Sequence, residues 1–148
     1  MHMADQRTPI FLDTAYINAL VNTRDQWHER AAQWEGKLAT EQRKLLTTEF
    51  ILIEIGDSLA TVKLRSEAVT IITRLTSSSF VEVVPATSRL FSGGLDLYRR
   101  RLDKSWGITD CISFTVMQEH RLSEALTSDD DFIQAGFRAL MLEIPSLT

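Results

Sequence analysis

Pro9-Ile10-Phe11-Leu12-Asp13-Thr14 is the stretch on which the reading of the whole chain turns. Three apolar residues between a proline and an acid are too few for a helix and read as a short buried strand. A helix is expected to follow at once, from about Thr14 to Asn22. The carboxylate of Asp13 therefore stands where a strand hands over to a helix.

The same alternation runs outward from there. A polar helix is expected from about Asp25 to Thr40, with Trp27, Ala31, Trp34 and Leu38 recurring at three- and four-residue spacing along one apolar face. Leu45-Leu46-Thr47 predicts a second strand, leading into a helix from about Thr48 to Lys63. A further helix over Ser66 to Thr76 takes Val69, Ile72 and Leu75 as its buried stripe. Phe80-Val81-Glu82-Val83-Val84 is the clearest strand, rich in β-branched residues and closed by Pro85. Next come a long helix, about Thr87 to Leu102, interrupted at Gly93-Gly94, and another from Thr109-Asp110 to Arg121. Ala125-Leu126-Thr127 reads as a strand, Asp129 to Gln134 as a short helix, and Ala139-Leu140-Met141-Leu142 as a final strand. Strands alternating with helices mean an α/β fold of three αβα layers around a mostly parallel sheet. In such sheets ligands bind beyond the carboxyl ends of the strands.

Composition sets the outer bounds. The 148 residues make one domain, 1–148, with 1–8 read as a tag scar (Met1-His2-Met3) and a flexible start. Sixteen Lys and Arg against twenty Asp and Glu leave a formal charge of −4, which argues against gripping nucleic acid by bulk positive charge. Bound divalent cations can still invert the local sign of an acidic site. One cysteine, Cys111, forms no internal disulfide and suits a reducing compartment, and no Cys/His cluster has zinc-finger spacing. The most apolar run, Phe50 to Ile53, stops at Glu54, far short of the roughly 20 residues of a membrane span. A cytoplasmic protein with no membrane partner is expected.

Acids gather at the strand ends. Asp13 follows the first strand, Glu49 and Glu54 the second, Asp110 opens a helix, and Asp129 to Asp131 follow the Ala125 strand. Singly, Asp13, Asp110 and Asp129 also read as helix caps, worth roughly 0.3–1 kcal/mol through the macrodipole. Ser128-x-x-Asp131 has capping-box spacing. Glu54 does not fit that account, because it lies past the first turn among Phe50, Ile51 and Ile55, with no basic residue three or four positions away. A buried carboxylate needs donors or a cation. Two carboxylates about 5 Å apart repel by roughly 3 kcal/mol at an effective dielectric of 20. Four together either take up protons or recruit a hard divalent cation, and oxygen ligands suit Mg²⁺ or Mn²⁺. Phosphodiester hydrolysis is the chemistry such a site performs.

Four segments resemble a PIN domain, and especially the VapC-type toxin ribonucleases of toxin–antitoxin pairs. They are Ile10-Phe11-Leu12-Asp13-Thr14, Leu46-Thr47-Thr48-Glu49-Phe50-Ile51-Leu52-Ile53-Glu54, the Thr109-Asp110-x-x-Ser113 core of 103–114, and Ala125 to Phe137. The register selects Glu54 over Glu49 as the family acid. The resemblance implies a metal site built by Asp13, Glu54, Asp110 and Asp129, with Glu54 ligating directly or through water. It also implies metal-dependent RNA cleavage, a homodimer, and inhibition by a small antitoxin. Ala15 and Asp131 depart from the family pattern, the first where Asn or Ser is common and the second where His or Arg is frequent.

Thr14 reads as a helix cap or an acid partner. Ser113, one turn after Asp110, bonds either an acid, a metal-bound water or its own backbone. Arg99-Arg100-Arg101 and Lys104 form either a solvated helix face or a phosphate grip, in which Arg100 and Lys104 are the candidates for binding RNA. One of Trp27 and Trp34 is expected at an interface, and Cys111 in the core. His28 and His120 are unpaired, so a two-histidine ribonuclease has no support. The alternative function is a PIN-like RNA- or protein-binding module without catalysis. A haloacid-dehalogenase-type phosphatase needs a second Asp two residues after its nucleophile, and position 15 is Ala.

Overall fold

A computed structural model describes residues 8–146. The expected tag scar and flexible start fall on 1–7, outside the described residues, but Thr8 is tied down, its carbonyl accepting from Arg43 Nη2 at 2.9 Å. The strands are β1 (Ile10–Leu12), β2 (Leu45–Thr48), β3 (Val81–Val84), β4 (Glu124–Leu126) and β5 (Arg138–Ala139). The helices are α1 (Thr14–Val21), α2 (His28–Glu41), α3 (Glu49–Ser58), α4 (Arg65–Ser77), α5 (Ser88–Arg100), α6 (Ile108–Glu119) and α7 (Asp130–Gln134).

All five strands are parallel, in the order β3-β2-β1-β4-β5. The chain starts in the middle, walks outward through β2 and β3, then returns to the other side of β1. Right-handed crossovers then place α1–α4 on one face and α5–α7 on the other. The packing agrees: α1 lies on α2 and α3, α3 on α4, and α5 on α6. Phe114 of α6 stacks edge-on against Phe132 of α7 and Trp106, at centroid distances of 4.9 and 5.1 Å. β1 is buried on both faces, as its unbroken apolar run requires. Its carboxyl end, beside that of β4, is the topological switch point of the sheet.

Five local expectations are corrected. The polar helix begins at His28 rather than Asp25, because the Asp25 carboxylate accepts from Trp27 N at 2.8 Å and closes a turn first. α3 ends at Ser58, five residues early, where the Ser58 hydroxyl donates back to Ile55 O. On α4 Ile72 and Leu75 pack against the core as expected, but Val69 is 61% exposed and Ala68 takes the buried place in the first turns. α5 runs unbroken through Gly93-Gly94: a Cβ on Gly94 would lie 2.3 Å from Ile112 Cγ1, so the glycine sets a close α5–α6 crossing. The last strand is only Arg138–Ala139, and Leu140–Leu142 turns as a 3₁₀ helix. Trp34 is core, its indole N–H donating to Glu143 O, while Trp27 is half-buried on the core. Cys111 is buried as expected.

Candidate active site

At the switch point β1 delivers Asp13 and β4 delivers Thr127 and Asp129. Asp13 is 6% exposed and makes no side-chain cap bond to α1, so its capping role is not the one the fold uses. Instead the Thr127 hydroxyl donates to Asp13 Oδ2 at 2.8 Å and accepts from Asp129 N at 3.0 Å. Thr127 thus clamps the two acid-bearing ends together. Burial pushes the Asp13 carboxyl up to about 7, against the pull of the Thr127 hydroxyl, and the charges of Asp110 and Glu54 push it the same way as burial.

Asp110 sits in the first turn of α6. One oxygen accepts from Gly107 N at 3.1 Å, so it does help close the helix end. Burial, and then repulsion from Asp129, Asp131 and Glu54, outweigh that hydrogen bond and raise its carboxyl to about 6. Asp129 is the N-cap of α7, its Oδ1 accepting from Asp131 N at 2.9 Å. That replaces the Ser128-x-x-Asp131 capping box expected from spacing. Asp131 stands half-buried beside it, its carboxyl raised by burial and by the neighbouring Asp129 and Asp130, and lowered by Lys104.

One carboxylate oxygen each from Asp110, Asp129 and Asp131 lies within 4.8 Å of the other two. Asp13 and Glu54 act on this group through their charge. The Glu54 carboxylate meets the donor it needed in the hydroxyl of Thr14, 40 residues away in sequence. Of the two readings of Thr14 the structure takes the acid partner: Asp13 is the N-cap of α1, and the Thr14 hydroxyl is given to Glu54 rather than to a helix end. Glu49, by contrast, accepts from Ala86 N at 2.7 Å and ties α3 to the loop before α5.

Ser113 is buried one turn on from Asp110, with no hydrogen bond to an acid among the described residues. Arg100 is exposed at the end of α5, while Lys104 is half-buried and close enough for its charge to act on Asp131. Two contributors were missed in the sequence. Asp131 was noted as a departure but not among the candidate ligands, although three acids in a row after a strand end was the signal that it belongs to the cluster. Thr127 lies within the Ala125 to Phe137 segment that carries the resemblance, but no role was read into it.

The chain is similar to proteins of known kind. A PIN domain family model matches residues 10–138. VapC20 of Mycobacterium tuberculosis, a sarcin–ricin-loop-cleaving toxin, is 26% identical over 86% of this chain and 95% of its own, with a TM-score of 0.75. FitAcB from Neisseria gonorrhoeae is 18% identical over 88% of this chain and 94% of its own, TM-score 0.62. FitAB bound to an IR36 DNA fragment is 18% identical over 94% and 99%, TM-score 0.64, and both of these likenesses concern the fold alone. No curated protein matches.

Proposed function

This chain belongs to the PIN-domain family, and from that premise we propose that it is a divalent-metal-dependent endoribonuclease, the VapC-type toxin of a toxin–antitoxin pair acting in the cytoplasm. One observation carries the reading: three carboxylates converge at the switch point of the sheet, with two more charged onto them. Their donors are all hard oxygens, and their mutual repulsion is relieved by a divalent cation, so the residues fit Mg²⁺ or Mn²⁺. Asp110, Asp129 and Asp131 would hold the ion, with Asp13 and Glu54 completing the set. When bound, the ion supplies a water activated for attack on phosphorus and stabilises charge on the leaving oxygen.

The chain's own residues do the rest. Thr127 fixes Asp13 and Asp129 in one orientation, and Thr14 fixes Glu54. Lys104 and Arg100 would hold phosphates of the RNA. VapC20 cleaves the sarcin–ricin loop, and a structured RNA loop is the substrate class proposed here too. Two apolar surfaces support partners. Phe91, Tyr98 and Leu102 are exposed along α5 and just beyond it, a stripe that suits a second copy. A groove of about 340 Å³, lined by Tyr16, Ile17, Leu20, Ile71 and Leu75, suits a helix of a small antitoxin. Among the described residues no helix is long and apolar enough to cross a membrane.

The test is cleavage of total cellular RNA by wild type and Asp110→Asn, in Mn²⁺ or Mg²⁺ and in EDTA. Metal-dependent cutting that disappears in Asp110→Asn supports the proposal. No cutting under any metal, with RNA still bound, overturns it in favour of the non-catalytic binding module.

A further inference from the structure

Three side chains on one face of α2 hold the segment 141–146 by its backbone. Arg30 Nη1 donates to Met141 O at 3.1 Å, Trp34 Nε1 to Glu143 O at 3.0 Å and Lys37 Nζ to Ser146 O at 2.7 Å. Positions 30, 34 and 37 share a face because steps of four and three residues do so on any helix. All three acceptors are carbonyls, so the grip is on the course of the backbone rather than on particular side chains. The segment is a strap laid along α2, and its first anchor leads on to the acid site.

Met141 is fully buried in the 3₁₀ turn Leu140–Leu142. While Arg30 holds its carbonyl, its amide donates to Thr127 O at 3.1 Å. Thr127 is the residue whose hydroxyl donates to Asp13 and accepts from the Asp129 amide. The direction of the Thr127 carbonyl is its ψ, one of the two soft dihedrals a residue has. The Met141 amide therefore also sets where the chain goes on to Asp129. Arg30 is half-buried, with Cζ 6.0 Å from the ring centroid of Trp27. We propose that Arg30 is a positioning residue for the acid site: through Met141 it holds Thr127, and through Thr127 it sets Asp13 and Asp129. Trp34 and Lys37, which take carbonyls further along, hold only the strap. The metal role of the acids rests on the ribonuclease reading, whereas the positioning of Thr127 does not.

Two readouts on the full chain separate these roles. Amide hydrogen exchange of Met141 and Asp129 is followed by NMR in EDTA, and Mn²⁺ binding is titrated calorimetrically without RNA. In Arg30→Met the Met141 amide should exchange about tenfold faster, the worth of one hydrogen bond to a charged donor in a local opening. The Asp129 amide is bonded to the Thr127 hydroxyl and not to the strap, and it should exchange faster too. Mn²⁺ affinity should fall roughly tenfold, the lower end of what the partners of metal ligands are worth. Arg30→Lys keeps one donor for one carbonyl and should restore most of each value. Trp34→Phe, which gives up only the bond to Glu143, should match the wild type in both readouts. Added to Thr127→Val, Arg30→Met should weaken Mn²⁺ binding no further.

A faster Met141 amide with the Asp129 amide and Mn²⁺ affinity unchanged would reduce Arg30 to a fastener of the strap and overturn the proposal. So would an equal loss in Trp34→Phe, or full additivity with Thr127→Val. If near-ultraviolet circular dichroism shows that Arg30→Met does not fold, Arg30→Gln takes its place in the same comparison. Should the wild type bind no Mn²⁺, the metal reading of the acids falls, and the Asp129 amide alone decides whether Arg30 positions Thr127.

Discussion

Asp13→Asn should make the metal-free protein more stable at neutral pH while abolishing its activity. The buried carboxyl titrates at about 7 in the folded chain, against 3.8 for an ordinary aspartate. Below 3.8 it is protonated in both states and costs nothing. Between 3.8 and 7 the unfolded chain ionises it while the fold resists, so stability falls as pH rises and the loss is complete above 7. Three units at 1.36 kcal/mol each come to about 4 kcal/mol. Asn keeps an oxygen for the Thr127 hydroxyl and removes the charge. Urea unfolding in EDTA, from pH 3.5 to 8, should therefore show a gap between variant and wild type that is near zero at the acid end and opens to about 4 kcal/mol at pH 8. Part of the rise at Asp13 comes from Asp110 and Glu54, so adding Asp110→Asn should give less than the sum of the two single effects. Mn²⁺ at 100 times Kd should narrow the gap from the other side, because it stabilises the wild type by about 2.7 kcal/mol and the variant by less. A gap independent of pH, or a variant less stable than wild type at pH 8, would refute the claim that Asp13 is held dry and charged against its preference.

Three further outcomes follow from the geometry. Asp131→Asn should weaken Mn²⁺ binding at least tenfold by calorimetry, while Glu49→Gln leaves it unchanged, because Asp131 belongs to the three-acid cluster and Glu49 holds the Ala86 amide. Gly94→Ala should lower stability by about 1–3 kcal/mol in urea, since its Cβ would press on both the side chain and the backbone of Ile112, at 2.3 and 3.0 Å. Tyr98→Glu places a charge in the exposed stripe of α5, and should shift the protein from dimer to monomer in sedimentation equilibrium without lowering the monomer's melting temperature.

Much of the candidate site is legible in the amino-acid sequence, and for a definite reason. A strand buried on both faces has no polar positions of its own, so a carboxylate at its end, such as Asp13, stands out. Glu54 stood out in the same way, as a charge inside an apolar helix with no neighbour to pair it, and its partner proved to be Thr14 from another element. What stayed hidden is whatever depends on two elements meeting. Spacing marked Val69 as buried because a helical stripe can be drawn through it, but the face of α4 that turns inward is set by α3 and β3, which the spacing does not contain. Gly93-Gly94 looked like a break because glycine weakens helices, and only the approach of Ile112 reveals why one is needed there.

Asp129 shows where the two kinds of information part. Its capping role was readable from its position, and the fold uses it, with Oδ1 on the Asp131 amide. That same bond turns the backbone of α7 so that Asp131 comes back toward Asp110 and Asp129, within 4.8 Å of both. The cap and the acid cluster are thus one device: the hydrogen bond that starts the helix joins Asp129 to Asp131, the third carboxylate of the cluster. A helix start of ordinary stability value, of order 1 kcal/mol, here accompanies a crowding of carboxylates that, together with burial, raises those of Asp110 and Asp131. Protonation or a divalent cation would relieve that crowding, which is why stability of the metal-free protein should depend on both pH and added Mn²⁺.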